Sequence, residues 1–125
     1  MFENTPAFSG FAVDDVDRAR EFYGQTLGLN VEVMDEENGL LVLHLAGGRD
    51  TFVYGKPDLQ PANYTMLNFQ VDDIDRAVDE LTARGVPLER YDGFDQDEKG
   101  ISRGRPAIAW FKDPAGNILA ALEAT

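Results

Sequence analysis

The fold is decided by Phe11-Ala12-Val13-Asp14-Asp15-Val16-Asp17-Arg18-Ala19, which returns as Phe69-Gln70-Val71-Asp72-Asp73-Ile74-Asp75-Arg76-Ala77. Seven of the nine positions are identical, and the second copy begins 58 residues after the first. A repeat about half the length of the chain indicates one small module used twice. Each copy reads as a short apolar strand followed by aspartates that can cap a helix. Two related halves predict an approximate two-fold axis and a cleft where their sheets meet.

The order of elements is predicted from periodicity and turn residues. In each half, the strand and helix are followed by three further strands, and in the second half the first of these three is a short one at 87–91. Asp113-Pro114-Ala115-Gly116 has the residues of a tight turn and predicts the closing hairpin. The predicted fold is α+β: two βαβββ modules in tandem, forming an eight-stranded cupped mixed sheet with helices on the outer face. Module one covers 7–57 and module two 64–123, within a single domain of 1–125.

Composition narrows the classes of function. The formal net charge is −12, which repels nucleic acid and anionic membranes and attracts cations. The chain has no cysteine, which excludes disulfides, thiolate nucleophiles and cysteine metal sites. No apolar stretch approaches the roughly 18 residues of a membrane span, and no targeting signal is recognised at the N-terminus. We therefore expect a cytoplasmic protein whose partner is a small molecule, without nucleic acid or membrane partners.

Several motifs together resemble the vicinal oxygen chelate superfamily, which includes glyoxalase I, extradiol dioxygenases, fosfomycin-modifying enzymes and bleomycin-resistance proteins. These are the repeated Val-Asp-Asp strand ends, Phe22-Tyr23 before Leu27-Gly28-Leu29, and the closing Phe111-Lys112-Asp113-Pro114-Ala115-Gly116-Asn117. The resemblance covers nearly the whole chain. It implies the fold given above and does not select one function, because this fold hosts several.

The resemblance also implies where metal ligands stand in the metal-dependent members. A histidine usually lies five residues before the valine of the first strand of each module, and a glutamate lies three residues after the asparagine of the closing turn. Those positions hold Phe8, Met66 and Ala120 here. The remaining ligand comes from the last strand of module one, at one of residues 52–54. Because none of these side chains is a normal ligand for a divalent ion, we expect no metal and no other cofactor.

Side chains along a strand point alternately to its two faces, and this alternation predicts an apolar concave face with a few polar groups. His44 is the sole histidine and has apolar neighbours in the sequence. A lone histidine of this kind is most often a hydrogen-bonded interior or edge residue, and contact with a ligand or acid–base catalysis are the alternatives. Glu32, Glu89 and Asp50 could cluster into a different metal site. Arg103, in a polar loop at 93–106 that is either a lid or a plain exposed loop, could bind a carboxylate or balance local charge. The predicted ligand-binding residues are Phe8, His44, Tyr54, Met66, Asn68, Trp110, Ala120 and Arg103.

The sequence thus predicts a metal-free small-molecule-binding protein of the glyoxalase/bleomycin-resistance type. Such a protein would sequester an aromatic or cationic compound, as in antibiotic resistance. No catalytic residue is assigned. The alternative is an enzyme of the lyase, isomerase or dioxygenase kind, with a relocated metal or a metal-free site using His44 or Tyr54. A third reading is an interaction module whose concave face is packed solid. A homodimer is expected, because the edges of two small sheets favour pairing.

Overall fold

A computed structural model describes residues Met1–Ala124. The chain divides into two compact units, Met1–Leu59 and the remainder from Gln60 onward, called here unit one and unit two. Unit one contains β1 (Ser9–Val13), α1 (Val16–Glu21), a π-helical continuation (Phe22–Thr26), β2 (Asn30–Asp35), β3 (Leu40–Leu45) and β4 (Arg49–Gly55). Unit two contains β5 (Thr65–Val71), α2 (Ile74–Ala83), β6 (Ile108–Lys112) and β7 (Ile118–Glu123). No helix within Met1–Ala124 is long and apolar enough to cross a bilayer.

Unit one is a four-stranded mixed sheet in the order β1-β4-β3-β2. Strand β1 runs parallel to β4, while β3 pairs antiparallel with both β4 and β2. Alternation places Phe11 and Val13 on the face that α1 covers. Val13 is buried, and the Phe11 ring lies 5.7 Å from the ring of Tyr23 in the π-helical segment. This side of β1 therefore packs against the helical segment.

In both helices, the second aspartate of the preceding Val-Asp-Asp sequence is the N-cap residue. Asp15 accepts a hydrogen bond from the backbone N–H of Arg18 at 3.1 Å, and Asp73 accepts one from Arg76 at the same distance. Each side chain thus satisfies one of the free N–H groups of the first helical turn. The repeated aspartates are explained by the local structure of the chain.

Unit two is a three-stranded sheet in the order β5-β7-β6, with β5 parallel and β6 antiparallel to β7. Helix α2 packs on one face through Ile74 and Val78, which form a buried cluster with Ala109, Ala121 and Ile101. Ile101 belongs to the long loop before β6 and is fully buried. The loop therefore contributes to the core of unit two.

The prediction of one eight-stranded sheet is wrong. The described residues form seven strands in two hydrogen-bonded sheets of four and three strands. The missing strand is the one expected at 87–91, of which only an isolated bridge between Glu89 and Trp110 forms. Pro87 has no N–H to donate. The side chain of Gln96 accepts from the Tyr91 N–H at 2.9 Å and donates to the Glu89 carbonyl at 3.0 Å, so it replaces the ladder partners of a strand.

The closing hairpin forms as predicted, between β6 and β7. The Gly116 N–H donates to the Asp113 carbonyl at 3.0 Å, and the Asp113 N–H donates to the Asn117 carbonyl at 3.0 Å. Gly116 has a φ of 93°, a left-handed conformation that glycine adopts without steric cost. This turn fixes the register in which Trp110 lies directly opposite Ala120.

Candidate functional site

Each sheet has an open face, defined as the face opposite its helix. In unit one this face carries Phe8 at the start of the chain segment leading into β1, together with Phe52, Tyr54 and His44. The Phe8 side chain is 71% exposed and Tyr54 is 47% exposed. The Phe8 and Phe52 rings lie 4.5 Å apart between centroids, within the range of a favourable aromatic pair. An accessible aromatic surface therefore lies on the open face of unit one.

The strand register decides which residue of β4 corresponds to Ala120. Gly10 pairs with Phe52 in unit one, and its repeat counterpart Asn68 pairs with Ala120 in unit two. The position left open among residues 52–54 is therefore Phe52. The four positions that the resemblance assigns to metal ligands are thus Phe8, Phe52, Met66 and Ala120. Hydrocarbon and thioether side chains supply none of the imidazole or carboxylate donors that a divalent ion requires, so these residues do not fit a metal.

His44 lies between two carboxylates on the open face of unit one. Its Nε2 lies 2.8 Å from Glu32 Oε1, and its Nδ1 lies 2.9 Å from Asp50 Oδ1. A carboxylate only accepts hydrogen bonds, so two such contacts require both ring nitrogens to carry protons. Hydrogen bonding to Glu32, followed by that to Asp50, raises the pKa of His44 above its ordinary value. His44 thus links three adjacent strands, and the two contacts suit the protonated ring, which has no free nitrogen to act as a base.

The predicted acidic cluster forms only in part. Glu32 and Asp50 meet at His44, whereas Glu89 lies in unit two with its Oε1 3.4 Å from Lys112 Nζ. The two carboxylates bind opposite nitrogens of the ring, whose directions diverge, and so do not face a common point. Among residues 1–124, no group of three or more histidine, aspartate or glutamate side chains is placed to hold a metal ion.

The imidazolium predicts a pH dependence of stability. Because the pKa of His44 is raised in the folded protein, its contribution is complete below the unfolded value of about 6.5 and is lost as pH rises through the folded value. We expect the midpoint of urea unfolding to fall between pH 6 and pH 9 more in the wild type than in His44→Gln. NMR titration of the single histidine gives its pKa directly. A pKa at or below 6.5 would contradict the contacts described here.

The open face of unit two is centred on Trp110. Since Ala109 and Ala121 pack against α2, alternation places Trp110 and Ala120 on the opposite face. The indole N–H donates to Thr65 Oγ1 at 3.1 Å. The rings of Phe94 and Tyr91 lie 4.7 Å and 5.7 Å from the Trp110 ring, so that Trp110 is only 7% exposed. Ala120 is fully buried, Met66 is half-buried, and Asn68 is exposed.

Phe94 and Tyr91 were not among the residues predicted for the site. Both precede β6 in chain segments without regular structure, and no periodicity places their rings on Trp110. The only sequence signal is Gly93 between them, whose φ of 89° permits the turn that brings Phe94 back over the sheet.

Arg103 lies on the α2 side of unit two. Its guanidinium donates two hydrogen bonds to Asp75 of α2, at 2.7 and 2.9 Å, and one to Asp97 at 3.0 Å. This bidentate contact holds the pKa of Asp75 well below its usual range. Asp75 lies on the helix that covers the other face of the sheet from Trp110. The arrangement matches the alternative in which Arg103 balances local charge, and it ties the long loop to α2.

Two cavities lie away from the open faces. One, of about 570 Å³, is lined by Val78, Asp79, Thr82, Gly85, Val86, Pro87, Leu88, Arg90, Glu98 and Lys99 of unit two. The other, also of about 570 Å³, is lined by Arg20, Glu21, Gly24, Gln25, Leu29 and Val31 of unit one. None of the eight predicted ligand-binding residues lines either cavity.

A family model, Glyoxalase/Bleomycin resistance protein/Dioxygenase superfamily, matches residues 7–120. The chain belongs to this superfamily. The predicted resemblance is therefore confirmed, over almost the whole chain. No curated protein sequence matches this member significantly.

Solved structures with the same fold include three at low sequence identity. TnmS3, an antibiotic binding protein from Streptomyces sp. CB03234, is 21% identical with a TM-score of 0.69, over 98% of both chains. A superfamily member from Sphaerobacter thermophilus DSM 20745 is 22% identical with a TM-score of 0.67, over 95% of this chain and 98% of the other. The fosfomycin resistance protein FosX from Listeria monocytogenes is 14% identical with a TM-score of 0.71, over 98% and 94%. At these identities the comparison establishes the fold of this superfamily member.

Proposed function

We propose that this protein is a metal-free small-molecule-binding protein that sequesters an aromatic or cationic compound. The observation that carries the proposal is the Phe8–Phe52 ring pair, which stands where metal-dependent relatives hold ligands. Phe8 is 71% exposed, so the hydration of its apolar ring is unfavourable and the ring gains little from packing within its own chain. Its surface is available for stacking against a flat ligand. Sequestration requires affinity for the compound but no catalytic group, so a face without metal ligands is sufficient for it.

Charge supports a cationic ligand. The net charge of −12 steers cations toward the protein and raises their encounter rate. The fold shared with TnmS3, an antibiotic binding protein, is consistent with binding of this kind. An enzymatic role for His44 is less well supported, because both of its nitrogens are hydrogen-bonded to carboxylates. We also propose that the protein acts as a cytoplasmic homodimer, since the sheets end in edge strands such as β1 and β5 that favour pairing.

The test is a binding screen against aromatic and cationic antibiotics, by calorimetry and by fluorescence of the single tryptophan. For a compound that binds, Phe8→Ala is expected to weaken the affinity by about tenfold or more, because a stacking surface is lost. Its free energy of unfolding should change by less than about 1 kcal/mol, because the ring is mostly exposed.

Phe2→Ala is the matched control, since Phe2 is 70% exposed and belongs to none of the strands or helices of unit one. Equal effects of the two substitutions would show that Phe8 acts only as general apolar surface. Elemental analysis of the purified protein is the second arm. Stoichiometric zinc, iron, nickel or manganese bound by the native chain would refute the metal-free part of the proposal.

A further inference from the structure

The Tyr91 hydroxyl is buried without a hydrogen-bond partner in the part of the chain that the structure describes. A buried hydroxyl that lacks a partner costs free energy, and most such groups in proteins are satisfied by protein or water. The Tyr91 ring lies edge-on to Trp110, with 79° between the ring planes. An unsatisfied polar atom therefore lies beside the aromatic cluster on the open face of unit two.

The surroundings of this hydroxyl are aromatic and contain one acid, Glu89, with the lysine that is paired with it, Lys112. Glu89 forms an isolated bridge directly opposite Trp110, and its carboxylate is contacted by Lys112 at 3.4 Å. Burial, followed by the charge of Glu89, raises the pKa of Tyr91, so the phenol keeps its proton and can both donate and accept. The Phe94 ring that covers Trp110 is 54% exposed, and its N–H reaches the Tyr91 carbonyl only at 3.4 Å. Phe94 is therefore the weakly held member of the cluster.

We propose that Trp110, Tyr91 and Phe94 form a subsite for a planar aromatic cation that carries an N–H group at its edge. The ligand ring displaces the exposed Phe94 ring and stacks on Trp110, while its N–H donates to the Tyr91 hydroxyl oxygen. Rings of this kind attract cations through their π-faces. Glu89 is paired with Lys112, so the preference for a cation over an anion comes from the net charge of −12. This inference rests on the binding function proposed above. Within that function, Tyr91 determines which ligands the protein binds.

Two dyes of the same ring and charge test the hydrogen bond. 9-Aminoacridine is a planar cation with N–H groups, and N-methylacridinium has the same ring and charge without them. Calorimetric titration of the wild type should show tighter binding of 9-aminoacridine. Tyr91→Phe should reduce that affinity roughly tenfold, the value of a buried hydrogen bond to a charged donor, and leave N-methylacridinium within about twofold. The same substitution should raise the thermal midpoint of the free protein by a few degrees, because it removes the unsatisfied hydroxyl.

Tyr64→Phe is the control, since it makes the same chemical change at a tyrosine that is 66% exposed in unit two. It should leave both affinities and the thermal midpoint unchanged. If the wild type binds the dyes and Tyr91→Phe binds both equally well, the subsite is refuted while the binding function stands. A lower thermal midpoint of Tyr91→Phe would refute it as well, because the hydroxyl would then be satisfied by an ordered water. If the wild type binds neither dye, the subsite is refuted, while the proposed function is decided separately by the antibiotic screen described above.

Discussion

Ile101→Ala is expected to lower the free energy of unfolding by about 3 kcal/mol, within the usual range for truncating a buried isoleucine. The Ile101 side chain is fully buried and packs with Ile74 and Val78 of α2. Its N–H also donates to Asp97 Oδ1 at 2.9 Å, so the residue joins the long loop to the core by side chain and backbone alike. The loss should be measured by urea unfolding and by hydrogen exchange of the loop amides.

Ile118→Ala at the start of β7 is the matched control, because Ile118 is only half-buried and should cost about 1 kcal/mol. A loss below about 1 kcal/mol for Ile101→Ala would mean that the loop is a surface lid, one of the two alternatives that the sequence left open. A loss near the expected value, with faster exchange limited to the loop and α2, would identify the loop as part of the core.

Asp113→Ala is expected to cost about 3 kcal/mol, because it leaves several buried donors without an acceptor. Asp113 is only 4% exposed, and its Oδ1 accepts from the N–H groups of Ala115 at 3.0 Å and Asn117 at 2.9 Å. Its Oδ2 accepts from Asn117 Nδ2 at 3.0 Å. Loss of this carboxylate should loosen the turn that sets the register of Trp110 against Ala120. Ligand affinity should therefore fall together with stability.

The exposed loop residue Asp92 provides the control for this change, since Asp92→Ala removes a carboxylate with little burial. It should shift the free energy of unfolding by less than about 0.5 kcal/mol. Asp113→Asn should lie between the two, because an amide retains one acceptor oxygen but brings an N–H₂ group toward Asn117. If Asp113→Ala were as mild as Asp92→Ala, water would be replacing the carboxylate in the turn.

Local features of the fold were predictable from sequence. The two Val-Asp-Asp segments predicted a strand and a helix start, and Asp15 and Asp73 do cap the helices. These signals depend on contacts between residues a few positions apart, so they can be identified without the tertiary structure. The expected strand at 87–91 was wrong for a reason that lies outside the segment itself. Gln96, which follows that segment, binds the backbone groups that a neighbouring strand would have used.

The sequence predicted many of the residues of the candidate site, but less of their spatial arrangement. Counting from the repeated strands located Phe8 and Met66, and counting from the closing turn located Ala120, but only the pairing of Gly10 with Phe52 identified the fourth position. Sequence named Glu32 and Asp50 without joining them to His44, because their contact requires β2, β3 and β4 to be in register. Tyr91 and Phe94 were missed, since turns rather than periodic elements bring their rings to Trp110.

By itself, the sequence determined a repeated strand-and-helix start and an acidic composition, and its resemblance to the superfamily placed phenylalanine, methionine and alanine where metal ligands are expected. Those properties depend on residue identity and short-range spacing. Tertiary structure alone decided that His44 is held between two carboxylates, that Arg103 binds α2, and that the Tyr91 hydroxyl lacks a partner. Each of these is a contact between segments distant in the chain or separated by turns, and its geometry follows from strand register and packing.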